Sequence, residues 1–344
     1  MREFRFGVVA ESARDGAQLI ETAKEAERLG YSTLLLRDHF VAEPFGDQLS
    51  PMLALTAVAA ATTRLRVGTL VLSNDYRHPV LLAKEAATLQ HLSGGRFELG
   101  IGAGWLLDEY ERAGLPFDAA GTRVSRLAES LEVLDGLLRG EKLTHSGEHY
   151  QVRDLSVFPA APRPPLLVGA GGKRMLRLAG QVADVAGILP IALPGGSISD
   201  AMSERTPEAM LRKVGWVRES GRDVELSQIL SIDLTDDHRA AAERTAVSRG
   251  WGASAADFVL EMPSRVIGTA TRIADELHQR RERYGLTYHV LSDRDMHAFA
   301  PIAATLTATR EPSLSTADVD AVRGTGWDGD LNDLRQDRVG EPWT

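Results

Sequence analysis

"FRFGVVAESARDGAQLIETAKEAERLGYSTLLLRD", residues 4–38, sets two short apolar runs on either side of a polar segment in which Ile20, Ala23, Ala26 and Gly30 recur close to the helical period. The first run, 4–10, and the second, "STLLLRD", have the length and residue types of buried strands, and Gly30 stands where a helix ends in a left-handed residue. Strand, helix and strand in that order make a crossover unit, which joins parallel strands.

The unit repeats outward from there. "PMLALTAVAAATT" (51–63) opens on a proline suited to a first helical turn, and "RLRVGTLVLS" (64–73) follows as the third strand. "HPVLLAKEAATLQHLSGG" (78–95) places Leu82, Ala86 and Leu89 on one helical face and stops at two glycines before "RFELGIGAG" (96–104), the fourth strand. "PPLLVGAGG" (164–172), "ADVAGILP" (183–190), "VELSQILSIDL" (224–234) and "TYHVLSD" (287–293) complete eight, the last after the helix "TATRIADELHQRRERYG" (269–285). Near-continuous apolar strands alternating with amphipathic helices predict a parallel sheet covered by helices, and eight of them predict a (β/α)8 TIM barrel; a doubly wound sheet is the other arrangement. One barrel domain is expected over 1–310. The polar, Gly/Asp/Arg-rich 311–344 reads as a C-terminal extension or arm. Two segments interrupt the repeat: a small β excursion around Ser146 and Gly147, and the loop-rich insertion "LPIALPGGSISDAMSERTPEA" (189–209).

Of 344 residues, 43% are hydrophobic and 25% charged, the balance of a globular chain, and the formal charge of −9 leaves no general basic surface for nucleic acid or an anionic membrane. With no cysteine, disulfides, thiolate catalysis and Cys-ligated metals are excluded. No run has the form of a signal peptide or a membrane span, so a cytoplasmic location is expected.

A parallel barrel gathers its chemistry at the carboxyl ends of the strands. There the chain offers Asp38 and His39, Ser73 and Asn74, Gly102 to Trp105, Gly169 to Gly172, and Pro190. His39 can exchange a proton near neutral pH; equally, "DHF" reads as a polar loop start, with the ring stacked on an aromatic and Asp38 capping a turn. Because side chains alternate along a strand, Asp38 and His39 share the pocket only if the backbone has already turned. Gly169-Ala170-Gly171-Gly172 precedes an amphipathic helix, which suits a phosphate at a helix N-terminus, or a tight turn. Gly100, Gly102 and Gly104 lack the spacing of a dinucleotide fingerprint and read as room for a flat ring. His145 and His149 flank a Ser-Gly turn, so helical facing does not apply and no metal is expected. Arg280, Arg281 and Arg283 read as a solvated helix face. Lys24, Lys84 and Lys213 fall inside helices, which argues against a Schiff base.

The run "VGTLVLSNDYRHPVLLAKEAATLQHLSGGRFELGIGAGW" (67–105), with "RDHF", "SGEHYQV", "PPLLVGAGG" and "RRERYGLTYHVLSD", resembles the luciferase-like monooxygenase superfamily, and within it the actinobacterial oxidoreductases that use the deazaflavin coenzyme F420. The resemblance covers about residues 4–308. It implies a bacterial-luciferase-like barrel, usually a homodimer, with the cofactor against Asp38, Leu70, Val71, Ser73, Asn74, Gly102 and Gly104. The phosphate turn maps to Gly169, Ala170, Gly171 and Gly172, and a non-prolyl cis peptide is implied near Leu70-Val71. His39 becomes the proton partner, with Asp38 fixing it or bonding the ring; Trp105 and Pro190 fall on the substrate side. F420-dependent sugar-phosphate dehydrogenases carry a tryptophan and a glutamate where this chain has Glu43 and Trp105, a departure that argues against that substrate. The expected function is hydride transfer between F420 and a small organic substrate. The alternatives are an FMN-dependent monooxygenase and a non-catalytic cofactor-binding protein.

Overall fold

The computed structural model describes residues 2–11 and 15–308. Eight parallel strands, β1 (Arg5–Val9), β2 (Thr33–Leu36), β3 (Arg66–Thr69), β4 (Phe97–Gly102), β5 (Leu166–Ala170), β6 (Val185–Ile188), β7 (Glu225–Ile229) and β8 (Leu286–Ser292), pair in chain order. Contacts of β8 with β1 and of β3 with β4 complete the ring. The expected barrel is present, wrapped by α1 (Gly16–Arg28), α2 (Pro51–Ala61), α3 (Pro79–Leu92), α4 (Leu107–Ala113), α5 (Ala120–Leu138), α6 (Lys173–Val182), α7 (Pro207–Arg218), α8 (His238–Ser248), α9 (Ala256–Glu261), α10 (Ala270–Tyr284) and α11 (Met296–Thr307). The arm expected over 311–344 lies outside the described residues.

Period-two alternation builds the two apolar layers. Val9, Leu35, Leu167, Val185, Tyr288 and Val290 fill the barrel, while Phe6, Val8, Leu34 and Leu291 turn outward beneath the helices. At the amino ends of the strands, Arg5 lies over the Tyr288 ring and pairs with Glu98 at 2.9 Å and Glu225 at 2.7 Å. Opposite charges of fixed geometry close this end, and the carboxyl end stays open.

The third strand is bulged toward that open end. Gly68 pairs with Glu98, but the next pair is Leu72 with Ile101, so one side advances four residues and the other three. The Leu70-Val71 peptide within the bulge is cis, as the resemblance implies. Thr69 replaces the missing ladder partner: its hydroxyl donates to the Gly100 carbonyl at 2.7 Å and accepts from the Gly100 amide at 2.9 Å. A Cβ on Gly100 would stand 1.8 Å from the Thr69 carbonyl oxygen, where no side chain can yield. Gly100→Ala is therefore expected to destabilise the barrel by about 3 kcal/mol, read as a lowered urea midpoint.

The seventh expected strand is two. After Ile229 the Leu230 amide still reaches the Val290 carbonyl, but the Ser231 amide bonds the Ser264 carbonyl instead. Ser231–Leu234 thus leaves the barrel and pairs in parallel with Arg265–Gly268. Together with α8 and α9 it forms a small unit with its own core of Ala242, Ala246, Val259, Met262 and Ile267. This overturns the solvated reading of Arg280. On α10 it follows Ile273 and Leu277 on the inward face, is buried, and donates to the carbonyls of Pro263 at 2.6 Å and Met262 at 3.0 Å, clamping the unit's last loop. The excursion around Ser146 is an antiparallel hairpin, Leu143–Ser146 with Gln151–Leu155. The insertion after β6 has little regular structure beyond one bridge, Ala192 to Ile198, and a single 3-10 turn, Met202–Glu204.

Candidate active site

A cavity of about 720 Å³ occupies the carboxyl end of the barrel. Asp38, His39, Leu70, Val71, Ser73, Gly102, Gly104, Trp105, Gly169, Gly171, Gly172 and Pro190 all line it. Asn74 and Ala170 do not: Asn74 is buried with its amide on the Tyr150 hydroxyl, and Ala170 lies within β5.

The backbone turns early enough for both members of the Asp-His pair. β2 ends at Leu36, two residues before Asp38, so strict alternation no longer governs their directions. Asp38 does not hold His39. Both its oxygens are taken by Arg77, at 2.6 and 3.1 Å, and one also accepts from the Ser73 amide at 3.1 Å, so it ties β2 to the bulged third strand.

The group that fixes His39 is Glu109, on the first turn of α4. Its carboxylate, with 1% of the side chain exposed, stands 3.1 Å from His39 Nδ1. It also accepts from the Phe40 amide at 2.5 Å and the Tyr76 hydroxyl at 2.7 Å. Burial pushes this carboxyl upward, but the donors from His39, Tyr76 and Phe40 outweigh it and hold Glu109 below the ordinary carboxylate range. An ionised carboxylate only accepts, so His39 carries its hydrogen on Nδ1 and keeps Nε2 as the proton-accepting nitrogen. Phe45, 4.9 Å from the imidazole, and Trp105, edge-on at 6.0 Å, set the ring's remaining walls. Burial and Glu109 together push the Tyr76 phenol far up, so it remains a donor.

Glu109 was not legible in the sequence. It lies seventy residues from His39 on a seven-residue helix. The one available signal was an acid in the first turn after the fourth strand, and that reads first as a partner for the helix dipole.

The glycines of 100–104 serve the chain's own packing more than a ring. Gly104 has φ +74°, and a Cβ there would meet the Tyr110 hydroxyl at 1.9 Å; Gly102 has Val71 at 3.0 Å. At the other wall, a Cβ on Gly171 would strike the Pro190 carbonyl at 2.2 Å, whereas Gly172 has open space. Gly172 caps α6 with no side-chain bond, and Arg174 is spent on the Gly121 carbonyl and the Ser125 hydroxyl, both at 2.8 Å. The first amides of α6 thus meet the cavity without a protein acceptor from the cap, the donor set a phosphate needs. Glu129 of α5 and Glu148 and His149 in the hairpin's turn bring ligand atoms within 4.8 Å of one another, but Glu129 already accepts from the amides of Glu148, His149 and Tyr150.

The luciferase-like monooxygenase family model matches residues 4–305. The chain belongs to that family. Among its relatives is the F420-dependent glucose-6-phosphate dehydrogenase of Microbacterium testaceum (strain StLB037), 30% identical over 303 residues and 85% of each chain. The 4-hydroxyprotoasukamycin monooxygenase of Streptomyces nodosus subsp. asukaensis is 32% identical over 237 residues, 65% of this chain and 60% of its own. In three dimensions the chain is similar to an F420-dependent secondary alcohol dehydrogenase solved with an F420-acetone adduct, at TM-score 0.70, 18% identity, and 90% and 100% coverage; this likeness concerns the fold. The family makes the chain a flavin- or deazaflavin-dependent oxidoreductase. Among the described residues no helix is long and apolar enough to cross a membrane.

Proposed function

We propose that the protein is an F420-dependent oxidoreductase that transfers a hydride to or from a small organic substrate, with His39 moving the accompanying proton. The observation that carries this reading is the His39–Glu109 pair in the same cavity as the uncapped amino end of α6. A deazaflavin, when bound, supplies two-electron hydride chemistry. The chain's residues divide the remaining work. Gly171, Gly172 and the first turn of α6 hold a phosphate; Leu70, Val71 and Gly102 offer an apolar wall for a ring. His39 gives or takes a proton at Nε2 while Glu109 stabilises its charged form. Trp105 and Pro190 stand on the substrate side.

The monooxygenase relative favours FMN as the second reading. Titration of the apoprotein with F420 and with FMN separates the two. Saturable binding of F420 with weaker or absent binding of FMN is expected, and saturable binding of FMN alone would reject the proposal. A cytoplasmic location accompanies this reading.

We further propose a homodimer. Leu53 on α2 is 75% exposed and Leu81 on α3 is 53% exposed, leaving apolar side chains on two helices that pack together. Light scattering should give twice the chain mass, falling to the single mass in Leu53→Glu/Leu81→Glu.

A further inference from the structure

A carboxylate offers about four lone-pair sites, and at Glu109 four donors meet them. His39 Nδ1 lies between the oxygens, 3.2 Å from Oε1 and 3.1 Å from Oε2. The amides of Phe40 and Val41 donate to Oε1 at 2.5 and 3.3 Å, and the Tyr76 hydroxyl donates to Oε2 at 2.7 Å. Backbone thus serves one oxygen, whereas the imidazole shares the other with a phenol. The proton step as described leaves Tyr76 unused, yet Tyr76 makes the shortest bond to the atom that faces His39.

The chain fixes that hydroxyl from several sides. Tyr76 lines the cavity and ends the 3-10 turn Asn74–Tyr76, which follows the bulged third strand. Within the same segment the Ser73 amide and the Arg77 guanidinium are both bonded to Asp38. The ring is stacked on Phe40 with centroids 4.4 Å apart and tilted against Tyr110 at 5.5 Å. The charged and titratable groups around it have partners of their own: Arg77 with Asp38, Arg37 with Glu11 at 2.5 Å, and the Tyr110 hydroxyl with Asp75 at 3.1 Å. Because burial and the Glu109 charge keep the phenol protonated, Tyr76 does not exchange a proton with the pair. It sets only how strongly Oε2 attracts the hydrogen on Nδ1.

We propose that Tyr76 is a positioning residue that weakens the hold of Glu109 on His39, so that the imidazole returns as well as takes its proton at Nε2. The role in turnover rests on the oxidoreductase reading; the hydrogen-bond competition does not. Two donors on one oxygen draw on the same electron density, and a hydroxyl bond to a carboxylate is a short, charge-assisted one. Without it Oε2 keeps a single side-chain donor, the carboxylate becomes more basic, and a charged imidazole beside it is held more tightly. An acceptor that is fixed and fully occupied therefore makes a reversible proton partner, which suits hydride transfer in either direction.

Two readouts on the full chain test this without cofactor or substrate. The NMR resonance of His39 Nδ1 is assigned by its loss in His39→Asn. The acylation of His39 Nε2 by diethyl pyrocarbonate, which attacks the neutral imidazole, is followed against pH by mass spectrometry. Tyr76→Phe keeps the ring and removes the hydroxyl. It is expected to move the Nδ1 resonance downfield and to raise the pH of half-maximal acylation by about 0.5–1 unit, roughly 3- to 10-fold in the proton equilibrium. A ring-fluorinated tyrosine at position 76, a stronger donor, is expected to move both in the opposite direction. Tyr110→Phe removes a neighbouring hydroxyl that is bonded to Asp75 and should move neither. Absence of either shift in Tyr76→Phe overturns the proposal. So does a shift of the same sign in both Tyr76 proteins, or an equal one in Tyr110→Phe, since either marks a structural disturbance. A His39 that the reagent does not reach in the wild type overturns it too, because a nitrogen closed to the cavity has no proton step to tune. Should Tyr76→Phe melt early, the fluorinated protein, which keeps the hydroxyl bond, decides by the sign of its shift. Failure of F420 to bind in the titration above rejects the cofactor reading alone and leaves both readouts decisive for Tyr76.

Discussion

His39→Asn should retain F420 binding within about twofold and lose about 10²–10⁴-fold in kcat, the usual contribution of a positioned acid or base. Asparagine can keep a polar contact with Glu109 and fill part of the space beside Phe45 and Trp105, so the cavity wall survives. What it cannot do is exchange a proton. Binding therefore stays with the glycine turn and the amino end of α6, and turnover falls with the imidazole. Glu109→Gln provides the companion measurement. The carboxylate receives donors from His39, Phe40 and Tyr76, and an amide in its place turns a donor toward some of them. It should lower kcat by about 10²-fold with the imidazole still present, and it should change the pH dependence of kcat as well as its height. If His39→Asn leaves kcat unchanged under saturating cofactor and substrate, His39 has no proton role, and the cavity belongs to a cofactor-binding protein or to chemistry that does not need it.

The barrel was legible because its signal is redundant. Each strand is an apolar run of five or so residues and each crossover an amphipathic helix, so one misread element does not alter the closed ring. The split of 224–234 escaped because both pieces are apolar strands with the same alternation. What separates them is a change of hydrogen-bond partner at Ser231, from β8 to the chain near Ser264, and a partner thirty-three residues away leaves no local mark. Arg280 was misread for a related reason: the period put it on the buried face with Ile273 and Leu277, but its charge suggested solvent, and the carbonyls that accept from it belong to a loop with no pattern. In the site, the strand ends were found because topology alone selects them. The residues that tune them were not, since Glu109 and Tyr76 act through contacts between segments far apart in the sequence. Asp38 shows both sides of this: its place at the cavity was readable, and its partner, Arg77, was not.

A second large effect is expected at His289, far from the chemistry. It pairs in register with Phe6 on β1, faces outward from the barrel, and packs with Phe4 and Phe6 at ring separations of 6.0 Å. Its side chain is fully buried and neither ring nitrogen has a hydrogen-bond partner. Burial, helped by the nearby charge of Arg280, pushes its pKa down to about 3, so the native state keeps it neutral. In the unfolded chain it takes up a proton near its ordinary value of about 6.5. Between those values the unfolded state binds more protons than the native one, and stability must fall as the pH is lowered through that window. At about 1.4 kcal/mol per pH unit, the loss is ~2 kcal/mol by pH 5 and about 5 kcal/mol by pH 3. Carboxyls held low in the native state, Glu109 and Glu27 among them, add acid sensitivity below the ordinary carboxylate range, and Asp295, raised by burial, acts in the opposite sense, so the histidine is isolated by comparing wild type with a variant that lacks it between pH 6.5 and 5. His289→Leu keeps the volume roughly, removes two unpartnered polar atoms, and should leave the protein at least as stable at pH 7 with a much flatter urea midpoint between pH 6.5 and 5. If wild type and variant lose stability equally across that interval, the histidine is protonated or solvated in the native protein, and the acid response must come from other groups.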